Sequence, residues 1–157
     1  MKILPILFGL LLSGFIYSST DIIRNIEVMT HYTFVTSNKH YYFRVKVSSL
    51  DNMYIELEAR NIGSNSENDF KVDICGFYDY PTDAEVMYGH EYCANAKVPT
   101  LDRRSDSDLV YYRYTFSSLK DINYLSLSLT MLKSNIYPYS LFIYSESGMQ
   151  EALADPN

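Results

Sequence analysis

The sequence is short of several residue types: its 157 residues include no tryptophan, only two cysteines, six glycines and five prolines. So little glycine and proline excludes a collagen-like or low-complexity chain. Two cysteines by themselves do not make a zinc site, which takes four ligands. Apolar residues at helical spacing over three or more turns are also missing before residue 148. The chain is therefore not predicted to be helical.

Positive charge is scarce as well. Lysine and arginine number 13 against 19 aspartates and glutamates, which gives a net charge of −6. An acidic chain is repelled by the phosphates of nucleic acids and of anionic lipids, so we expect no nucleic-acid partner. Neutral or basic partners are favoured instead.

Signatures of catalysis are missing too. A nucleophile elbow of the GxSxG type does not occur, and the histidines are the isolated residues His31, His40 and His90. Glu56 and Glu58 resemble the carboxylate pair of a glycosidase, but such a strand face is more often simply solvated. We therefore expect no enzyme; a small hydrolase would need a histidine and an acid that the fold brings into one cleft.

Residues 1–18 have the pattern of a secretory signal peptide. Lys2 precedes an apolar run at residues 3–12, and small or polar residues follow. The run is too short to cross a bilayer, and no later segment is long and apolar enough to do so. We expect cleavage after Ser18 or Ser19, and a secreted, extracellular product in which residues 19–157 form a single domain.

Residues 41–60 predict a strand, a turn and a second strand. Apolar and polar residues alternate from Tyr41 to Val47 and again from Met53 onwards, which is the period of a strand with one buried face and one face in water. Turn-forming residues separate the two runs, so a hairpin is predicted. A shift of 70 residues without a gap matches six identities within seventeen positions. This similarity indicates either an internal duplication or two tyrosine-rich hairpins that look alike.

Further strands are predicted at residues 31–36, 70–77, 109–116, 124–132 and 139–144, the third and fourth of these forming a second hairpin. Residues 21–28 are ambiguous between a short strand and an extended arm. Residues 78–108, the irregular segment, are expected to contain strands at 85–88 and 92–98. About eight strands predict an all-β fold, an antiparallel β-sandwich of the jelly-roll type, with a closed β-barrel as the alternative.

The two cysteines, Cys75 and Cys93, are 18 residues apart in a chain predicted to enter an oxidising compartment. An intramolecular disulfide is the economical interpretation. Closing a loop of this length stabilises a fold by roughly 3 kcal/mol in the chain-entropy model. The alternative is a pair of buried free thiols.

Calcium is the one metal that the sequence suggests. Secreted sandwiches often bind it in loops through oxygen ligands, and Asp79, Asp83 and Glu85 lie close together in the irregular segment. They lack the spacing and the central glycine of a helix-flanked calcium loop, so an acidic loop that merely aids solubility is the competing interpretation.

Tyrosine is unusually abundant, with 16 residues. Tyr42, Tyr54, Tyr111 and Tyr124 fall on the outward side of the predicted strands, where aromatic rings serve sugar or protein recognition. Outward tyrosines also stabilise sheets by cross-strand pairing without binding any ligand. The sequence leaves both roles open.

A resemblance to a known family is carried by an aromatic YYF strand, a short turn, an apolar alternating strand and an acid-led strand, here DFKVDI. In this respect residues 41–74, and less closely 111–144, resemble the jelly-roll domains of the bacterial pre-peptidase C-terminal type. The resemblance implies an accessory binding domain that assists secretion or substrate attachment and carries no catalytic residues.

These patterns predict a secreted, non-catalytic binding domain that recognises a carbohydrate or a protein through aromatic and acidic surface residues, including the irregular segment. The alternative is a structural or coat protein, or a secreted effector, that associates with itself. No cofactor is expected apart from the calcium considered above.

Overall fold

A computed structural model describes residues 22–47, 52–117 and 122–154. Its strands are β1 (Ile23–Glu27), β2 (Thr30–Thr33), β3 (His40–Lys46), β4 (Met53–Arg60), β5 (Phe70–Phe77), β6 (Ala96–Lys97), β7 (Thr100–Ser105), β8 (Leu109–Phe116), β9 (Tyr124–Met131) and β10 (Pro138–Ser145). Helix α1 spans Asp83–Tyr88, a 3₁₀ turn spans Gly89–Tyr92, and helix α2 spans Glu146–Ala154. The predicted signal peptide and its cleavage site lie outside the described residues.

The strands form two five-stranded sheets. The first sheet has the order β1-β3-β9-β5-β6, and the second has the order β2-β10-β4-β8-β7. Every pairing is antiparallel except that of β1 with β3. The prediction of an all-β sandwich is confirmed, and the sheets are not closed into a barrel.

The two predicted hairpins are wrong. Strands β3 and β4 belong to different sheets, and so do β8 and β9. Strand β3 pairs with β1 and β9, whereas β4 pairs with β8 and β10. Alternation shows which face of a strand is buried but not which strand is its neighbour, so the two strands of each predicted hairpin could lie in different sheets.

The three central strands of each sheet have matching topology. The cross-strand triplets at equivalent positions are Phe43, Leu127 and Ile74 in the first sheet and Tyr112, Leu57 and Leu141 in the second. Strands β3, β9 and β5 thus correspond to β8, β4 and β10. The similarity between the halves of the chain therefore has a counterpart in the fold.

The gapless shift of 70 residues does not hold for β3 and β8. It matches Tyr41, which is buried, with Tyr111, which lies on the outer face of the second sheet. The structural correspondence instead pairs Tyr41 with Val110, because each faces its equivalent partner on the neighbouring strand. Strands β4 and β9 do match at 70, since Leu57 and Leu127 are both inward and almost fully buried.

The core lies between the sheets and is richest on the central strands. On β4 the residues Met53, Ile55, Leu57 and Ala59 are at most 1% exposed, as the alternation predicts. Burying a methionine, isoleucine or leucine side chain contributes about 1.5–3 kcal/mol. The register of β4 is therefore held strongly, because a slip of one residue would replace these side chains by the outward set.

The irregular segment departs from its prediction. Residues 85–88, expected to be a strand, belong to helix α1. Thr82 begins this helix with a capping box: its hydroxyl accepts from the Glu85 backbone N–H at 3.2 Å, and the Glu85 carboxylate accepts from the Thr82 N–H at 3.0 Å. The strand expected at 92–98 is reduced to Ala96–Lys97, while Thr100–Ser105 forms an edge strand that was not predicted. The ambiguous residues 21–28 contain β1.

Candidate functional site

The first part of the irregular segment folds over the outer face of the first sheet. Helix α1 lies against β1, β3 and β9, and Val86 of this helix is only 1% exposed. The sequence pattern placed the outward residues of β3 in water. The structure corrects this expectation, because the segment covers part of that face.

Arg44 on β3 holds the segment in place. The residue is 5% exposed, and its Nε donates to the Pro81 carbonyl at 2.9 Å. One terminal nitrogen donates to Asn25 Oδ1 at 2.8 Å and to the Tyr80 hydroxyl at 2.9 Å. The other lies 2.8 Å from Asp83 Oδ1. A guanidinium presents several donors in a fixed plane, which allows one buried residue to bind four partners.

The disulfide between Cys75 and Cys93 is present, as predicted. Its Cα atoms are 6.0 Å apart, and it joins β5 to the residue that follows the 3₁₀ turn. Beside it, the Gly76 N–H donates to the Asn95 carbonyl at 3.1 Å. The segment is thus held by Arg44 near its start and by the disulfide near its middle.

A groove of about 510 Å³ lies between the disulfide and α1. Its lining includes Phe77, Tyr78, Glu85, Tyr88, Tyr92, Asn95 and both cysteines. Three of the rings are open to solvent: Tyr78 is 68%, Tyr88 61% and Tyr92 86% exposed. We call this cavity, defined by Tyr78, Tyr88 and Tyr92, the tyrosine groove.

The lining of the tyrosine groove is mainly apolar, with four aromatic rings and few polar groups. Within the described part of the chain, Glu85 is the one charged side chain in its lining. One oxygen of Glu85 accepts the Thr82 N–H, and the Asn95 amide donates to the Gly76 carbonyl at 3.5 Å. Exposed rings with a few polar groups are the chemistry that binding grooves use.

A second cleft has a volume of about 330 Å³. Asn25, Glu27, Arg44, Lys46, Tyr80 and Tyr124 contribute to its lining. Tyr80 and Tyr124 meet edge to face with ring centroids 5.4 Å apart. Each nitrogen of the Arg44 guanidinium donates a hydrogen bond within the protein. We therefore interpret this cleft as a gap between the irregular segment and the sheet rather than as a binding site.

The four tyrosines predicted as ligand residues are not brought together. Tyr42 and Tyr124 lie on the first sheet, whereas Tyr54 and Tyr111 lie on the second. Tyr54 stacks on Tyr144 with centroids 5.0 Å apart. Cross-strand packing of this kind was the competing interpretation of the outward tyrosines.

Tyr111 packs within its own surroundings. The Arg104 guanidinium lies 4.1 Å from the centre of its ring, and its hydroxyl donates to the Asp106 carboxylate at 3.3 Å. Desolvation, together with the charges of Asp106 and Glu58, raises the pKa of Tyr111. The face and the hydroxyl of Tyr111 are therefore already in contact with Arg104 and Asp106 of the same chain.

The three acids considered for calcium have other roles or lie apart. Asp83 pairs with Arg44, and Glu85 caps α1. Across residues 22–47, 52–117 and 122–154, no group of three or more histidine, cysteine, aspartate or glutamate side chains is placed to hold a metal ion. The structure thus does not gather Asp79, Asp83 and Glu85 into a ligand set.

The histidines lie on three different elements. His31 on β2 stacks on Phe142 with centroids 4.1 Å apart, and His40 Nδ1 on β3 lies 3.4 Å from Thr130 Oγ1. His90 lies in the 3₁₀ turn, and its buried Nδ1 has no hydrogen-bond partner among the described residues. None of the ion pairs found in that part of the chain includes a histidine.

The residues that the sequence prediction missed are Tyr78, Tyr88 and Tyr92. The prediction selected tyrosines on the outward side of the regular strands. Tyr88 and Tyr92 fell in the short strands expected at 85–88 and 92–98, which the structure replaces by α1 and the 3₁₀ turn. No periodic signal marked these rings, because their exposure depends on how the irregular segment folds over the sheet. The irregular segment was part of the predicted binding surface, but its individual rings were not named.

Comparisons with protein-family models, with curated proteins and with solved structures gave no match. Among the described helices, none has both the length and the apolar character needed to cross a bilayer. The functional proposal therefore rests on the geometry of the tyrosine groove.

Proposed function

We propose that this chain is a secreted, non-catalytic binding domain that recognises a carbohydrate or protein ligand through the tyrosine groove. The observation that carries the proposal is the exposure of three tyrosine rings, Tyr78, Tyr88 and Tyr92, around one cavity of about 510 Å³. Large exposed rings are costly to leave in water unless a partner covers them, and tyrosine is enriched at recognition surfaces.

The groove is held in shape before any ligand binds. The disulfide closes one wall, the capping box of Thr82 and Glu85 starts α1, and Arg44 holds the residues just before the helix. A preorganised site loses less conformational entropy on binding, which leaves more of the contact energy for affinity.

Secretion is supported by two independent features. The disulfide between Cys75 and Cys93 is typical of an oxidising compartment, and residues 1–18 have the signal-peptide pattern. Non-reducing mass spectrometry of protein recovered from the medium of expressing cells tests this part. We expect a mass that lacks the first 18 or 19 residues and two hydrogens; an intact chain retained in the cell would contradict secretion.

Binding is tested with the mature protein on a glycan array and on a panel of purified extracellular proteins. The double variant Tyr88→Ala, Tyr92→Ala is expected to lose at least about tenfold in affinity, because aromatic contacts dominate such interfaces. Tyr139→Ala is the matched control, since Tyr139 is 48% exposed on β10 and outside the groove. Equal losses in both variants, or unchanged binding in the double variant, would refute the assignment to the groove.

Self-association is a second candidate, favoured by the edge of the second sheet. Strand β7 pairs only with β8 among the described strands, and Asp102 and Arg104 alternate along it. Antiparallel pairing of two copies about Arg103 would oppose Asp102 of one to Arg104 of the other at two positions, against the repulsion of the two Arg103 side chains that face each other at the centre. Light scattering across a range of concentrations tests self-association. Dimers that disappear in Asp102→Arg and return in the double variant Asp102→Arg, Arg104→Asp would support it. A constant monomer mass would eliminate it.

A further inference from the structure

At two places in the described part of the chain, an arginine lies over a tyrosine ring that has an acid beside it. The Arg44 guanidinium lies 4.3 Å from the centre of the Tyr80 ring and pairs with Asp83. Cations are attracted to the negative face of an aromatic ring, and a nearby carboxylate adds to that attraction. In the first instance the tyrosine and the acid are three residues apart.

The second instance is on the outer face of the second sheet. Arg104 lies 4.1 Å from the centre of the Tyr111 ring, and the Tyr111 hydroxyl donates to Asp106. Here the acid bonds the hydroxyl of the ring that Arg104 covers, and among the described residues it forms no ion pair with that guanidinium. An arginine over a tyrosine ring with an acid beside it therefore occurs on both faces of the sandwich.

The tyrosine groove contains the same combination without its cation. Glu85 and Tyr88 are three residues apart on α1, as Tyr80 and Asp83 are near its start, and both line the groove. One Glu85 oxygen accepts the Thr82 N–H, and the other has no hydrogen-bond or ion-pair partner in the described part of the chain. The described lining includes no lysine or arginine.

The charged residues next to the groove tyrosines are negative, as Glu85 is. Asp79 and Glu91 are exposed next to Tyr78 and Tyr92 in the sequence, and the whole chain has a net charge of −6. Rings, carboxylates and overall charge all favour a positively charged occupant and disfavour an acidic one.

We infer that the tyrosine groove binds arginine or lysine side chains of a basic partner segment, with the cation over the rings of Tyr88 and its neighbours and beside Glu85. The inference rests on the proposed function and narrows its ligand to a cationic protein segment. A neutral oligosaccharide is the competing occupant, and it would use the same rings without needing the charge of Glu85.

The test is a titration of the mature protein with a capped tetra-arginine peptide, followed through the NMR signals of the tyrosine rings. The probe for charge is the same peptide with citrulline in place of arginine, which keeps the planar shape but is neutral. A neutral chito-oligosaccharide is titrated in parallel. We expect the groove tyrosines to shift with the arginine peptide, and the citrulline peptide to bind about threefold to tenfold more weakly.

Glu85→Gln separates charge from structure, because glutamine also serves in a capping box. This variant is expected to weaken the arginine peptide about threefold and to leave the oligosaccharide titration unchanged. Glu67→Gln is the control, since Glu67 is exposed in the loop before β5 and its loss changes the net charge equally. Equal weakening in both variants would indicate diffuse attraction to an acidic protein and would overturn the inference.

The outcomes also separate the inference from the proposed function. Oligosaccharide binding that depends on Tyr88 and Tyr92, without discrimination between arginine and citrulline, overturns the inference and keeps the binding function. A failure of both ligands to shift the groove tyrosines overturns the cationic occupant and counts against the groove as the binding site.

Discussion

The carboxylate of Asp69 lies 2.7 Å from the ammonium group of Lys133 and is fully buried. Ser66 N–H donates to it at 2.8 Å, and so does the hydroxyl of Tyr112 on β8. Since Asp69 precedes β5 of the first sheet and Tyr112 belongs to the second, this carboxylate joins the two sheets. Burying a charge is tolerated here because each of its surrounding groups donates to it.

Asp69 is expected to make stability depend on pH. Burial raises its pKa, but the hydrogen bonds from Lys133, Tyr112 and Ser66 and the charge of Lys133 outweigh it, so the pKa is lowered from its ordinary value of 3.8. The stabilisation is therefore present above that value and is lost as the pH falls through the lower pKa of the folded state. Urea denaturation across the acidic range should show this decline.

The variant Asp69→Asn isolates the contribution of the Asp69 charge to stability. It is expected to cost about 2–3 kcal/mol at neutral pH, because charge-assisted hydrogen bonds are lost from a buried site. Its stability should also decline less steeply in acid. Glu67→Gln provides the control for a change of one charge in the same loop. Parallel pH profiles for wild type and Asp69→Asn would contradict the role given to this carboxylate.

Arg44 and Asp83 form an ion pair whose two members should contribute unequally. Arg44→Met removes four hydrogen bonds from a buried guanidinium, and we expect a loss of about 2 kcal/mol and faster proteolysis of the irregular segment. Asp83→Asn should cost less than about 1 kcal/mol, because the Asp83 side chain is 81% exposed. Urea denaturation and limited proteolysis measure both. Equal effects of the two variants would show that the ion pair alone holds the segment.

The disulfide should stabilise the domain by about 3 kcal/mol through loop closure. The double variant Cys75→Ser, Cys93→Ser is expected to unfold at correspondingly lower urea concentration. Reductant should lower the urea midpoint of the wild type to that of the variant. It should leave the midpoint of the variant unchanged, so the variant controls for other effects of the reductant. A wild type that keeps its midpoint once the bond is reduced would contradict this contribution.

Two tyrosines of β8 offer a matched pair. The Tyr114 hydroxyl is buried and has no hydrogen-bond partner among the described residues, and desolvation raises the pKa of Tyr114. Tyr114→Phe is therefore expected to leave stability unchanged or to raise it by about 1 kcal/mol, whereas Tyr112→Phe should lower it by about 1–2 kcal/mol because Asp69 loses a donor. Thermal unfolding compares the two, and a destabilised Tyr114→Phe would reveal a partner for its hydroxyl.

Alternation predicted the faces of the strands but not their neighbours. The inward set of β4 and the outward positions of Glu56 and Glu58 follow from a period of two, because that pattern separates residues that avoid water from those that do not. The hydrophobic effect has no direction, so it favours burial equally whether β3 pairs with β4 or crosses to the other sheet. The hairpins could therefore not be distinguished from cross-sheet connections.

The candidate site was predictable in location and not in detail. The irregular segment was recognised by its loss of alternation, and the pairing of Cys75 with Cys93 by their number and context. Helix α1 was missed although Thr82 and Glu85 have the spacing of a capping box. The rings of Tyr78, Tyr88 and Tyr92 could not be selected, because their exposure depends on how the segment folds over the sheet.

The sequence by itself determined an all-β sandwich, its buried strand faces and its disulfide, since these depend on local alternation and on the count of cysteines. The tertiary structure decided how the strands are ordered, that Arg44 is buried beneath the irregular segment, and that three tyrosines surround one groove. These features arise from contacts between residues far apart in the chain, and such contacts leave no periodic trace in the sequence.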